Sequence, residues 1–182
     1  MSNIPWQVIE PLVTIHPWSL EAIGPDLLAN SLVMTSCATA AWQSAAGALL
    51  IPFTLTKQAT FVEAFWYNGA AVSSVDVGVY DTGGNLLGHT GSVSSSGNIN
   101  LLQIAPLLAS TKIGPGMFYL AISATSVVQA FFTIAAASVS MLQVMGCAYI
   151  GGDFPLATGK TIASVSLFTK IPIFGISTRS VL

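Results

Sequence analysis

The sequence predicts an all-β fold, a β-sandwich or jelly roll of about eight to ten short antiparallel strands behind an extended N-terminal arm. Three observations carry this. Strand-length runs of β-branched and aromatic residues recur along the chain, most densely between Thr60 and Thr125. Gly, Asn, Asp and Pro punctuate these runs at short intervals. No long segment repeats its apolar residues at the 3.6-residue period of a helix.

Residues 1–30 contain Pro5, Pro11, Pro17 and Pro25, a spacing that suits neither a long helix nor a central strand. An extended arm is expected there, with room for one helical turn from Ser19 to Ile23. Trp6, Val8, Ile9, Leu12, Ile15 and Trp18 make it too apolar for a free tail, so it should lie on its own domain or on a neighbour. The sandwich domain is then 31–182. Ser31 to Cys37 is a candidate strand, and Trp42 is the one large anchor in the small-residue stretch that follows. Leu49 to Leu55 reads as a strand that Pro52 places at an edge or a bulge.

Thr60 to Tyr67 has strand composition, and the turn pair Asn68-Gly69 is expected to end it. Val75, Val77 and Val79 alternate with Asp76 and Gly78, which puts the valines on one face and Asp76 on the other. Asp81-Thr82-Gly83-Gly84-Asn85 then supplies turn chemistry for a hairpin with Leu86 to His89. A polar loop from Ser94 to Asn98 and an apolar run from Ile99 to Ile104 follow. After Gly114-Pro115-Gly116, Met117 to Ile122 resumes as a strand. Gln129 to Ile134 and Met141 to Ile150 are expected to be two more, joined through Ala135-Ala136-Ala137. Gly151-Gly152-Asp153 is a loop, and Thr161 to Phe168 reads as the last long strand before an apolar tail through Pro172 and Gly175.

Trp66-Tyr67-Asn68-Gly69, Val75 to Asp81 with Gly84-Asn85, and Gly114 to Ala121 together resemble a recurrent β-sandwich module of tailed-bacteriophage structural proteins. The likeness continues through Phe154-Pro155-Leu156 to Ile171-Pro172-Ile173-Phe174-Gly175, roughly the last three-quarters of the chain. It implies a virion component, to which the expected synthesis in the host cytoplasm conforms, and it carries over no catalytic residue.

Charge narrows the function classes. Only 7% of the 182 residues are charged and 53% are hydrophobic, where a soluble domain has about 25% charged. Mean hydropathy is +0.74. Such a chain is a membrane protein, part of a large assembly, or an oligomer that buries its own surface. Leu27 to Thr56 and Ile113 to Gly152 lack charge, yet polar residues and prolines interrupt both, against the roughly 20 apolar residues of a spanning helix. The first residues have no basic start and no apolar core behind them, so no secretory signal is expected. Five Lys plus Arg and a formal net charge of -2 leave no basic stripe for nucleic acid.

Catalytic motifs are not apparent. His16 and His89 stand outside any recognisable triad frame, and there is no Gly-x-Ser-x-Gly, Cys-x-x-Cys, His-Glu-x-x-His or Walker loop. Glu63 among aromatics could serve as a general acid only with a second carboxylate such as Asp76 or Asp81 nearby. Asp81, Asn85 and Asp153 offer oxygen ligands for calcium, but their spacing is not that of an EF-hand and the turn already explains them. Cys37 and Cys147 read as buried free thiols, with a bridge between them open only after oxidation outside the cell. No catalytic, cofactor or metal residue is therefore expected.

The aromatics Trp66, Tyr67, Tyr80, Phe118, Tyr119, Phe131 and Phe132 either fill the core or offer flat faces to sugars. The expectation is a non-enzymatic capsid decoration or cement protein that forms a homotrimer and binds virion proteins such as the major capsid protein. Trp6, Ile9, Ile15, Trp18, Ile173 and Phe174 are the expected assembly contacts. A glycan-binding module at the tail is the rival expectation, and an exposed row of aromatics would favour it.

Overall fold

A computed structural model describes residues 14–15, 38–136, 138–152 and 154–178. Within them the chain forms two antiparallel seven-stranded sheets packed on one apolar core. The first sheet runs β1 (Thr14–Ile15), β14 (Phe174–Ser177), β4 (Ala59–Ala70), β10 (Ala130–Ala136) and β13 (Lys170–Pro172). To it β2 (Ala38–Ala41) is added through β10, and β8 (Leu102–Ile113) through β4. The second runs β12 (Ala163–Ser164), β11 (Ala148–Ile150), β3 (Ala48–Leu55), β9 (Gly116–Ala124), β5 (Ser74–Asp81) and β6 (Leu86–His89), with β7 (Val93–Ser94) also on β5. The predicted all-β sandwich is the observed fold. Its strand count is higher because β1, β7 and β12 have two residues each, too few for any sequence pattern to mark, and because residues 170–177, expected as a tail, form β13 and β14.

Alternation on β5 works as its sequence predicts. Val75, Val77 and Val79 point between the sheets with Leu49, Ile51, Leu120 and Ile122 of the same sheet, opposite Trp66, Phe131, Phe174 and Ile176 of the other. Every one of these side chains is essentially inaccessible to water. Fully burying a side chain of this size contributes about 1.5–3 kcal/mol, so this shared core is what holds the two sheets together.

On β4 the alternation changes phase. Phe61 faces the core, as do Ala64 and Trp66, while Phe65 joins Ile173 on the outer face. The switch coincides with an irregularity between Phe61 and Glu63, where pairing to β8 jumps from Thr111 to Pro106. Extra residues on β8 bulge outward there, leaving Leu108 71% exposed. Pro52 sits where the sequence allows it. β9 pairs with β3 along its whole length, but β11 reaches only Ala48 to Leu50, so Pro52 lies where β3 has a free edge on that side.

Four expectations are corrected. Asn68-Gly69 does not end the strand, because β4 continues to Ala70 and Asn68 is buried within it. Met141 to Ile150 is not one strand: Ser138 accepts from the backbone N–H of Met141 at 3.1 Å and caps a six-residue helix, α1 (Val139–Val144). Gly146, at φ +76°, then turns the chain into β11. Thr161 to Phe168 contributes only β12, with Val165 and Phe168 plugging into the core. The apolar tail is no tail, because Ile171, Ile173, Phe174 and Ile176 lie on β13, on β14 or between them, all buried. The expected strand from Ser31 to Cys37 and the helical turn after Ser19 lie outside the described residues.

Residues 154–162 form a strap across the outer face of the second sheet. Leu156 and Ile162 cover Leu50, Tyr80, Ala121 and Ile150 there, so β5 is buried on both faces. Tyr80 Oη donates to the carbonyl of Ala157 at 2.9 Å, and the N–H of Lys160 donates to the carbonyl of Gly84 at 3.1 Å.

Candidate functional site

The expected assembly contacts separate into two groups. Trp6, Ile9 and Trp18 lie outside the described residues, as does most of the arm. The backbone of Ile15 pairs with Ile176, so residues 14–15 of the arm form an edge strand of the first sheet. Ile173 and Phe174 are wholly buried, Phe174 in the intersheet core and Ile173 against Phe65. Neither presents a surface to a neighbouring molecule. Alternation alone could not place them, because the strand breaks between β13 and β14 and the two adjacent residues face opposite sides.

The most concentrated polar cluster is one the sequence reading missed. Asp76 is fully buried on the outer face of β5 beneath the strap. Its Oδ2 lies 2.8 Å from His89 Nδ1 and accepts from the N–H of Leu156 at 2.9 Å, while Oδ1 accepts from Thr90 Oγ1 at 3.0 Å. The hairpin creates this arrangement. Gly78 is opposite His89, so Asp76 and His89 are diagonal neighbours on one face. The signal was a carboxylate between the valines of β5, opposite a partner strand that ends in histidine.

This cluster binds the strap rather than activating a nucleophile. A hydrolytic dyad needs a hydroxyl or thiol held by the imidazole. Here the hydroxyl of the cluster, on Thr90, donates to Asp76 and accepts from the N–H of Val77 at 3.1 Å. Gly78 completes the fit, since a Cβ there would lie 2.8 Å from His89 Cβ and 3.0 Å from Leu156 Cδ1.

The other acids do not assemble with it. Glu63 is buried on the first sheet, on the same outward side of β4 as Phe65. Asp76 is on the outer face of the second sheet, so both sheets separate the two carboxylates. Asp81 is engaged within its own turn. Its Oδ1 accepts from the N–H groups of Gly83 at 2.8 Å and Asn85 at 2.9 Å, and Oδ2 from Asn85 Nδ2 at 2.8 Å. These bonds, the Asn85 side chain's first, hold the Asp81 carboxyl below its ordinary range. Asp153 lies outside the described residues, among which no His, Cys, Asp and Glu group of metal-binding size occurs. Cys147 is a free buried thiol, and burial pushes it up to about 11.

At one end of the sandwich a second cluster, made of amides and hydroxyls, joins three loops. Gln129 Nε2 donates to Asn68 Oδ1 at 2.9 Å, and its Oε1 accepts from Ser95 Oγ at 2.9 Å, Ser73 Oγ at 3.2 Å and the N–H of Val72 at 3.3 Å. Asn68 Nδ2 donates to Gln103 Oε1 at 2.9 Å. Gln129, Asn68 and Ser95 are fully buried, and the network fixes the β4–β5, β7–β8 and β9–β10 connections against one another.

The aromatics divide by environment. Trp66 and Phe131 lie between the sheets and Tyr80 lies beneath the strap, all buried. Tyr67 and Phe132 meet edge to face at 4.7 Å on the outer face of the first sheet, both half-buried. Phe118 and Tyr119 are half-buried on β9. Among the described residues, every exposed large hydrophobic is aliphatic or methionine.

No protein-family model, curated protein or solved structure matches this chain. No helix among the described residues is long and apolar enough to cross a membrane.

Proposed function

We propose that this chain is a non-enzymatic structural protein of a tailed-phage virion, acting as a homotrimeric decoration or cement module on the capsid lattice. The observation that carries this reading is the inversion of charge and apolar surface. Among the described residues seven carry formal charge, and two of those, Glu63 and Asp76, are interior. Twelve large apolar side chains are exposed, led by Val144 at 90% and Leu108 at 71%. So little surface charge beside so many exposed aliphatic side chains favours a chain that is covered on assembly. The sandwich itself is a stiff, fully cored platform, and its polar clusters tie loops down rather than converge on a reacting atom. The burial of Trp66, Tyr80 and Phe131 favours this role over glycan stacking.

Sedimentation velocity on the full chain at micromolar concentration tests the self-association, with a trimer expected. A gradient of purified particles tests the location, with the chain expected to co-sediment at fixed stoichiometry. A stable monomer that stays at the top of the gradient would overturn the reading.

A further inference from the structure

We propose that residues 16–37 of this chain dock on the outer face of its own first sheet as a third layer, the counterpart of the strap on the second. Glu63, Phe65, Ser177 and Ile173 lie on the outward side of that sheet, yet they are 2%, 1%, 0% and 0% exposed. Side chains stand roughly perpendicular to a sheet, so neighbours in the same sheet flank such residues and leave their tips open. The apolar neighbours packed on Phe65 and Ile173 are Tyr67, Leu102, Ile104 and Phe132, all on strands of this sheet. The strap covers the other sheet, and the buried Leu142 of α1 belongs to the intersheet core. The loop before β8 reaches the rim of the face, where Tyr67 Oη donates to the carbonyl of Asn100 at 3.2 Å. Water is nevertheless excluded from Phe65 and Ile173 in a single chain, so the cover belongs to this chain itself.

Connectivity selects the segment. The chain leaves the first sheet at Ile15, paired with Ile176, and rejoins it at Ala38, paired with Thr133. Residues 16–37 are thus held at both ends by the sheet whose face is covered, which keeps them there at an effective concentration of about millimolar. By strand order β1 and β2 are at most four strand spacings apart, about 19 Å, whereas about 22 extended residues reach roughly 70 Å. The excess length is enough to cross the face. Residues 1–13 are held at one end only, and 179–182 are too few to span it. Composition fits as well. Trp18, Leu20, Ile23, Leu27, Leu28 and Leu32 supply apolar area, while Pro17, Gly24 and Pro25 break the segment into pieces too short to bury these side chains by themselves. A cover over the Glu63 carboxylate must present donors, and His16, Trp18 and Ser19 carry them just beyond β1, whose Thr14 shares a row with Ser177 and Glu63.

Isotope-filtered NMR on the full chain tests this. In a uniformly labelled sample Phe65 and Ile173 should show Overhauser contacts to side chains within residues 16–37, and a mixture of labelled and unlabelled copies should show none between copies. Contacts to residues 1–13 or 179–182 instead, contacts found only between copies, or contacts confined to the sheet's own strands would each overturn the assignment. A variant in which an equally long Gly-Ser chain replaces residues 16–37 supplies a second readout. Hydroxyl-radical oxidation at Phe65 should then rise several-fold, with Tyr80 beneath the strap unchanged. Unchanged oxidation at both residues would also overturn the cover. Where Tyr80 reacts too, the replacement has unfolded the sandwich, and the wild-type contacts decide.

Discussion

Replacing Asp76 removes the acceptor on which the strap, β5 and β6 converge. In Asp76→Ala the buried N–H of Leu156 loses its acceptor, the hydroxyl of Thr90 keeps only the carbonyl of Gly91 at 3.3 Å, and His89 loses its orienting partner. The stranded Leu156 donor costs about 1–3 kcal/mol and the lost bonds of Thr90 and His89 about 0.5–1.5 kcal/mol each, so the variant should lose about 2–6 kcal/mol. Asp76→Asn is milder. Its carbonyl can replace Oδ2 toward His89 and Leu156, and its amide can face Thr90 Oγ1, which can turn to donate to the carbonyl of Gly91 at 3.3 Å. That leaves the lost charge assistance, about 1–2 kcal/mol. For a chain of this size 1 kcal/mol moves Tm by about 2–4 °C, so the alanine variant should melt roughly 4–24 °C lower. Urea unfolding at fixed protein concentration gives the free energy, since oligomerisation makes Tm depend on concentration. Hydrogen exchange at the Leu156 amide reports the strap directly and should accelerate. Unchanged stability and unchanged exchange in Asp76→Ala would refute the clamp.

Val77→Asp puts an unpaired carboxylate between the sheets and should prevent stable folding or cost several kcal/mol in urea unfolding. Gly84→Ala should lower Tm, because Gly84 sits at φ +84° and a Cβ would overlap the Lys160 carbonyl; exchange should rise in residues 156–160 more than in β3. Cys147 should resist alkylation at pH 8 in the folded chain and react fully in denaturant, because its thiol titrates near 11. Asp81 has a depressed folded value, so its stabilising contribution is present above the ordinary 3.8 and is lost as pH falls through the folded value. An NMR titration should place its midpoint below that of Asp81 in the Asn85→Ala variant.

Much of this fold is written locally. The three valines of β5, the Asp81 to Asn85 turn and the edge-tolerant Pro52 were readable because each depends on period two, positive φ or a missing N–H, all properties of a few adjacent residues. What the sequence hid depends on distant partners. Asn68-Gly69 has turn chemistry, yet Gln129 and Gln103 pair with Asn68 and keep it in a strand. Ile173 and Phe174 look like a sticky tail until β4 and β10 are seen beside them. Asp76 looks like a solvent-side residue until the strap, 80 residues later in the chain, closes over it. The Met141 to Ile150 run is apolar enough for a strand, and only the Ser138 cap and Gly146 divide it. Of the expected assembly contacts, the buried pair Ile173 and Phe174 belongs to the core.

A reconstruction of purified particles tests the structural role most directly. Ordered density for this two-sheet sandwich is expected at fixed stoichiometry on the capsid lattice. Particles of full composition in which the chain is absent would contradict it.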